Sequence, residues 1–399
     1  MKDMKIWSGI GAITLVLVSL ACQQERQPSG DSSATRTAST TRASSVSAAS
    51  STPALVSAPP VVHVPAPDTL RGLYVNRWAA LGRKLNTLID VAKKTEINAL
   101  VIDVKDDRGF VLYRSKVPLA RDIGADTADG HWMSRDRLRS ALDTMVAHGI
   151  YPIARIVVAK DPLLAQKKLE LAIKRKTDLE PWLDKNGHPW LDPHQRAVWS
   201  YAVDLAREAY EIGFSEVQFD YVRFPDEKRL ITETVYPLAN GRTRAQVIRE
   251  QLGFVRDSLK RTGMRVTADV FGLTATDTTD MGIGQKWEMF VDQVDVVLPM
   301  VYPSHFAPGT YKLRNPNARP YATIDHALKD AIARTAPIPN AAKIIPWYQD
   351  FTLGPPHYYA EQIRAQIKAG YDNGFPSWIL WNPKSNYTIA ALEPRSKAN

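Results

Sequence analysis

From Thr69 onward the chain alternates short runs rich in β-branched and aromatic residues with longer stretches whose apolar positions recur at helical spacing. Eight short runs stand out: residues 72–77, 99–105, 151–158, 216–223, 265–271, 294–302, 344–349 and 378–382. Most are apolar at successive positions rather than at alternate ones, which suits strands covered on both faces. The intervening stretches are charged and amphipathic. Several close on glycine just before the next run, at Gly149, Gly213, Gly263 and Gly374, where a left-handed cap would end a helix. Asp192-Pro193 reads as a helix start, with a capping carboxylate ahead of a proline in the first turn. Strand and helix in strict alternation, joined by right-handed crossovers, predict a closed (β/α)₈ TIM barrel over residues 69–399. An open doubly wound sheet is disfavoured, because no glycine-rich phosphate loop follows the first run and polar residues recur at strand ends.

The N-terminal 68 residues follow a different pattern. Ile6 to Ala21 carry no charge and lead directly to Cys22, the single cysteine of the chain. The run is short for a membrane span and reads as an export signal, with residues 1–22 a lipoprotein-type segment and Cys22 the acylated residue. A cleaved soluble signal peptide and an uncleaved anchor are the other readings. Residues 23–68 are Ser, Thr, Ala and Pro almost throughout, without periodicity, and predict a disordered linker. With no second cysteine to pair, the exported fold must rest on burial alone. The formal charge is +9, of which residues 1–67 carry +2, leaving a modest excess that suits an anionic glycan or a solvated basic surface equally.

In a barrel of this kind the chemistry lies at the carboxyl ends of the strands. The second run ends with Asp103 and Lys105 on one face by strand alternation, as a substrate-binding pair or as a buried ion pair. Arg155 in the third run has apolar neighbours, so a carboxylate partner is expected and an orienting role follows. The fourth run, Phe219-Asp220-Tyr221-Val222-Arg223-Phe224-Pro225, supplies the leading catalytic candidate, Asp220, with Arg223 close behind it. Asp269 in the fifth run sits between Ala268 and Val270. Burial there would raise its pKa, as a proton donor needs, unless Arg155 or Lys105 is its partner. Tyr302, Trp347, Trp381 and Asn382 close the later runs and are assigned to a sugar pocket, although single aromatics at such places are often core. Trp182 and Trp190 punctuate a long segment after the third run, read as a substrate-facing loop.

Other chemistries lack their residues. The eight histidines form no HExxH or His-x-His pair, and one cysteine cannot build a thiolate site, so no metal or other cofactor is expected. No phosphate loop, nucleophile elbow or basic-aromatic nucleic-acid motif is present. Carboxylate chemistry remains.

The segments Gly72-Leu-Tyr-Val, Val101-Ile-Asp-Val-Lys-Asp106, Phe219 to Pro225, Ala268-Asp-Val-Phe-Gly272, Pro299-Met-Val-Tyr-Pro303 and Trp378-Ile-Leu-Trp-Asn382 resemble a bacterial family of glycoside hydrolase domains, long catalogued as a domain of unknown function. The resemblance spans about Leu70 to Asn386 and implies a glycosidase-type barrel. A more distant similarity is to the family 18 chitinases, whose fourth strand ends in a catalytic Glu. Val222 takes that place here, so a mechanism relying on that Glu does not carry over.

These readings together predict hydrolysis of an envelope or extracellular polysaccharide outside the cytoplasm by a domain lipid-anchored through Cys22. Asp220 and Asp269 are the working pair, which of them is the acid being open, with Asp103, Lys105, Arg155 and Arg223 orienting and tuning them. The alternative is a non-catalytic glycan-binding barrel that tethers the envelope to a polysaccharide. A metal-dependent deacetylase would require a His and Asp cluster that the sequence does not show.

Overall fold

The computed structural model describes residues 60–395. Eight parallel strands close into a barrel: β1 (Arg71–Val75), β2 (Ala99–Lys105), β3 (Tyr151–Val157), β4 (Glu216–Asp220), β5 (Arg265–Phe271), β6 (Val296–Met300), β7 and β8 (Trp378–Trp381). β7 comes in two pieces, Lys343–Ile344 and Trp347–Gln349, because Pro346 interrupts the ladder; both pieces pair with β6, and the second also pairs with β8. β1 lies between β8 and β2, so no strand edge is left open.

The outer layer holds α1 (Lys84–Lys94), α2 (Arg135–Ala147), α3 (Arg196–Ile212), α4 (Arg244–Leu259), α5 (Trp287–Phe290), α6 (Pro320–Thr335) and α7 (Ala360–Asp372). The fifth crossover is thus a single helical turn, and after β8 a 3₁₀ turn, Ile389–Ala391, takes the place of an eighth helix. Each expected terminal glycine has positive φ: Gly149 at 67°, Gly213 at 130°, Gly263 at 72° and Gly374 at 80°. The expected start at Asp192-Pro193 is displaced. α3 begins at Arg196, and Asp192 instead accepts from the backbone and ring nitrogens of His194, holding a turn ahead of the helix.

The strands are apolar at successive positions because each face meets a different core. Leu100, Ile102, Ala154, Val217, Phe219 and Val270 face the helices, whereas Tyr74, Val101, Ile153, Leu298, Trp347 and Ile379 fill the barrel. The linker boundary shifts as well. Residues 61–68, assigned by composition to the tether, lie along the amino-terminal end of the barrel. There the His63 ring stacks on Tyr210 at 3.6 Å, the Val64 amide donates to Ser215 Oγ at 3.2 Å, and Val64 and Ala66 pack on the interior cluster. The export segment, Cys22 and most of the linker lie outside the described residues.

Candidate active site

Register brings the polar ends of four strands together. Asp103 of β2 pairs with Arg155 of β3, whose other neighbour in the sheet is Gln218 of β4. Strand alternation then aims Asp103, Arg155, Gln218, Asp220 and, from β5, Asp269 into the barrel mouth.

Arg155 is the hub. Its Nη1 donates to Asp103 Oδ1 at 2.6 Å; its Nε lies 3.2 Å from Asp220 Oδ2 and 3.7 Å from Asp269 Oδ2; and its Nη2 donates to Asp220 Oδ2 as well. The guanidinium side chain is only 10% exposed, and Tyr74 lies beneath it with its ring centre 5.3 Å from Cζ. Asp103 is also fixed by the Tyr74 hydroxyl, which donates to Oδ2 at 2.6 Å. Burial outweighs both partners and raises the Asp103 carboxyl to about 6.

Asp269 is the most enclosed of the three, its side chain 1% exposed against 8% for Asp220. Its Oδ1 accepts from Trp347 Nε1 at 2.7 Å and from the Gln218 amide. Burial first, and the Asp220 charge second, push its pKa well above its ordinary value, which favours the protonated form. Asp220 Oδ2 and Asp269 Oδ2 thus lie 3.2 and 3.7 Å from the same Arg155 nitrogen, which makes the two carboxyls neighbours across one cation.

Asp220 ends its strand sharply. The next residue, Tyr221, has φ of 53°, a left-handed conformation costly for a bulky side chain, and its amide turns back to donate to Asp220 Oδ1. Strain at this position turns the chain out of the barrel just where the carboxylate must stay. Beside it, Lys160 pairs with Asp107 at 2.6 Å and lies over the Tyr221 ring.

One wall of the mouth is aromatic. Tyr302 and Trp381 stack at 5.1 Å with 18° between planes, and Phe351 meets both edge-on. Burial keeps the Tyr302 phenol well above its ordinary pKa, with Asp269 and Asp220 adding to the rise. His305 beside them is lowered by burial to about 4, so it stands neutral.

Five sequence assignments change. Lys105 leaves the cluster, because an irregularity in the β2–β3 register between Asp103 and Lys105 breaks the alternation; its Nζ pairs with Asp161 at 2.7 Å and donates to Val157 O, making a buried ion pair outside the barrel. Arg223 does not reach Asp220: β4 stops at Asp220, and the guanidinium lies over Phe271 at 4.4 Å and bonds Phe224 O. Asn382 gives its amide to Asp350 O at 2.6 Å and accepts from the Lys384 and Asn386 amides, so it shapes the β8 loop rather than a sugar pocket. Trp182 and Trp190 turn inward, their ring nitrogens donating to Glu233 and Asp184. Trp347 belongs to the site as a donor to Asp269 and not as a platform. Among the described residues no group of three or more His, Cys, Asp or Glu has a metal-binding arrangement. Sequence reasoning missed Tyr74 and Gln218. Gln218 was signalled by its place two residues before Asp220 on one strand face; Tyr74 had no such signal.

A closed barrel with buried carboxylates at the strand ends and an aromatic wall is the architecture of a glycoside hydrolase, with a carbohydrate as its substrate. The chain belongs to the family described as "Putative glycosyl hydrolase domain", whose model matches residues 72–387. No curated protein sequence matches the chain. Among solved structures it is similar to a hypothetical protein from Ruminiclostridium thermocellum, 37% identical over 50% of this chain and 97% of that one, with a TM-score of 0.44. The PgaB (BpsB) glycoside hydrolase domain from Bordetella bronchiseptica is 14% identical over 79% of this chain and 95% of its own, with a TM-score of 0.57. Alpha-L-fucosidase isoenzyme 2 from Paenibacillus thiaminolyticus is 12% identical over 81% and 48%, with a TM-score of 0.53. The last two likenesses are of fold.

Proposed function

We propose that the chain hydrolyses glycosidic bonds of an envelope or extracellular polysaccharide, with Asp220 meeting the sugar and Asp269 as the proton donor of the pair. The observation that carries this reading is the convergence of Asp103, Asp220 and Asp269 on the single cation Arg155. Three buried carboxylates facing one guanidinium cannot all ionise cheaply, so at neutral pH one carboxylic acid and one carboxylate stand side by side. That is the pairing an oxocarbenium-like transition state requires: a proton for the departing oxygen and a negative charge for the sugar ring. Val222, at the place of the chitinase Glu, is buried in the outer core, so Asp269 is the second acid within reach.

A non-catalytic glycan-binding barrel is favoured by one observation, that Arg155 grips Asp220 through two nitrogens. Against it stand the neighbouring Asp269, whose raised pKa suits a proton donor, and an Arg223 that leaves Asp220 alone. Release of reducing ends from a panel of polysaccharides by the full chain, beside Asp220→Asn, separates the two. Turnover that falls by about 10² to 10⁴ in the variant supports hydrolysis; glycan binding by both proteins with turnover by neither supports the tether.

Export and lipid anchoring through Cys22 are part of the same proposal and rest on the sequence alone. Incorporation of labelled fatty acid into the parent and not into Cys22→Ser tests them.

A further inference from the structure

The loops that follow β6 and β7 form a second concavity at the same end of the barrel as Asp220. It encloses about 740 Å³, and its lining includes Lys312, Arg314, Asn317, Arg319, Leu353 and Pro355, with no acidic residue. None of the three cationic side chains has a hydrogen bond or ion pair among the described residues. Several surface arginines elsewhere, Arg175, Arg242 and Arg249 among them, are held by a carboxylate. One free surface cation needs no explanation, but three around a hollow without an acid make a local field of one sign.

Asn317 supplies an independent observation. Its side chain is buried, and Nδ2 donates to Leu353 O at 3.0 Å and Pro355 O at 3.1 Å, while the buried Oδ1 has no partner. An orphaned buried acceptor destabilises the fold, and this one lies beneath the wall of the hollow, closed to solvent. The rim is also strained: Tyr311 and Lys312 have φ of 55° and 61°, and the Tyr311 hydroxyl is tied to Thr276 Oγ1 at 2.6 Å. Arg319 caps α6, whose first turn holds no acidic residue, so the positive end of that helix adds to the same field.

We infer that this hollow is a subsite for an acidic sugar residue, its anionic group seated among Lys312, Arg314 and Arg319. The substrate is then an anionic polysaccharide. Leu353 follows Phe351 of the aromatic wall by two residues, a span of roughly 7 Å in extended chain, so the subsite serves a sugar close to the bond that is cut. Only the link to turnover rests on the hydrolase reading; the anion site stands on its own geometry.

The test is binding of the full chain to polygalacturonate, its carboxyl-reduced neutral form, dextran sulfate and poly(glycerol phosphate), at low and high salt. Compared with the parent are Arg314→Ala/Arg319→Ala, the charge reversal Arg319→Glu, and, as a control cation on the outer helix α3, Arg207→Ala, each with a melting curve to establish folding. At least one anionic polymer should bind ten times more tightly than the neutral one, and which one does so identifies a carboxylate, sulfate or phosphate. Both arginine variants should lose at least tenfold of that affinity, while Arg207→Ala keeps it. Anionic polymers that bind no better than the neutral one, or affinity unchanged in the arginine variants, overturn the inference. Binding lost in those variants, with no hydrolysis by the parent, keeps the subsite and removes the hydrolase; hydrolysis of a neutral polymer with no anionic preference does the reverse.

Discussion

Asp103→Asn should stabilise the domain at alkaline pH, although it removes a carboxylate from an ion pair. The cluster sets three buried carboxyls, Asp103, Asp220 and Asp269, against the single cation Arg155, and burial raises the pKa of Asp269 well above its ordinary value. Burial raises Asp103 from about 3.8 to about 6. A raised carboxyl means that the folded chain holds its proton to higher pH than the unfolded chain does. The resulting stability is complete below about pH 3.8 and is lost as pH climbs through about 6. At about 1.4 kcal/mol per pH unit, ionising Asp103 costs the fold about 3 kcal/mol by pH 8. Asparagine stays neutral, but its amide cannot both accept from Arg155 and accept from the Tyr74 hydroxyl in the same geometry, which costs about 1 kcal/mol. The net expectation at pH 8 is a gain of about 1–2 kcal/mol, or about 2–4 °C in Tm. The difference should shrink below pH 6 and reverse near pH 4, where the parent carries a proton that the variant lacks. Urea unfolding of parent and variant at pH 4, 6 and 8 measures it. Destabilisation at pH 8 equal to or larger than that at pH 4 would refute the reasoning and show that Arg155 needs both charges.

Arg155→Met leaves three buried carboxylates without a cation and should cost about 3–5 kcal/mol at pH 7, with part of the loss recovered at pH 5; a pH-independent loss in denaturant titrations would contradict this. Trp347→Phe keeps a ring in place but removes a hydrogen bond that lowers the pKa of Asp269, so the alkaline limb of kcat/KM should move to higher pH, and a move downward would mean that Asp269 works as a base. In Gly272→Ala the new Cβ would lie 2.5 Å from Met300 O and 2.8 Å from Val301 Cα, both backbone atoms, so a loss of about 3 kcal/mol or more is expected in thermal unfolding.

The barrel was legible because each strand faces two cores. Runs such as 99–105 and 265–271 are apolar at successive positions and match β2 and β5 residue for residue, and the terminal glycines mark where helices stop. Asp103, Arg155, Asp220 and Asp269 were legible for the related reason that a charge inside such a run must find a partner. Lys105 was misplaced because strand alternation was extended through a register irregularity that leaves no trace in composition. Arg223 was misplaced because the turn at Tyr221 depends on a backbone conformation that tyrosine rarely adopts. Trp182 and Trp190 looked like exposed rings in a loop, yet their partners, Glu233 and Asp184, lie 51 and 6 residues away, and the longer of these pairings is invisible to local reasoning. Residues 61–68 share the composition of a tether, and only their contacts with Tyr210 and Ser215 assign them to the domain.

The hub arrangement at Arg155 has a consequence for how such a protein can diverge. Asp103, Asp220 and Asp269 share one counter-ion, so replacing any one of them redistributes charge and protons over the other two. The four positions therefore act as one charge-coupled unit: a change at any of them moves charge and protons onto the others, whereas the aromatic wall and the loop cations touch none of them through an ion pair. A different glycan can be accommodated at the rim without disturbing the balance at the centre.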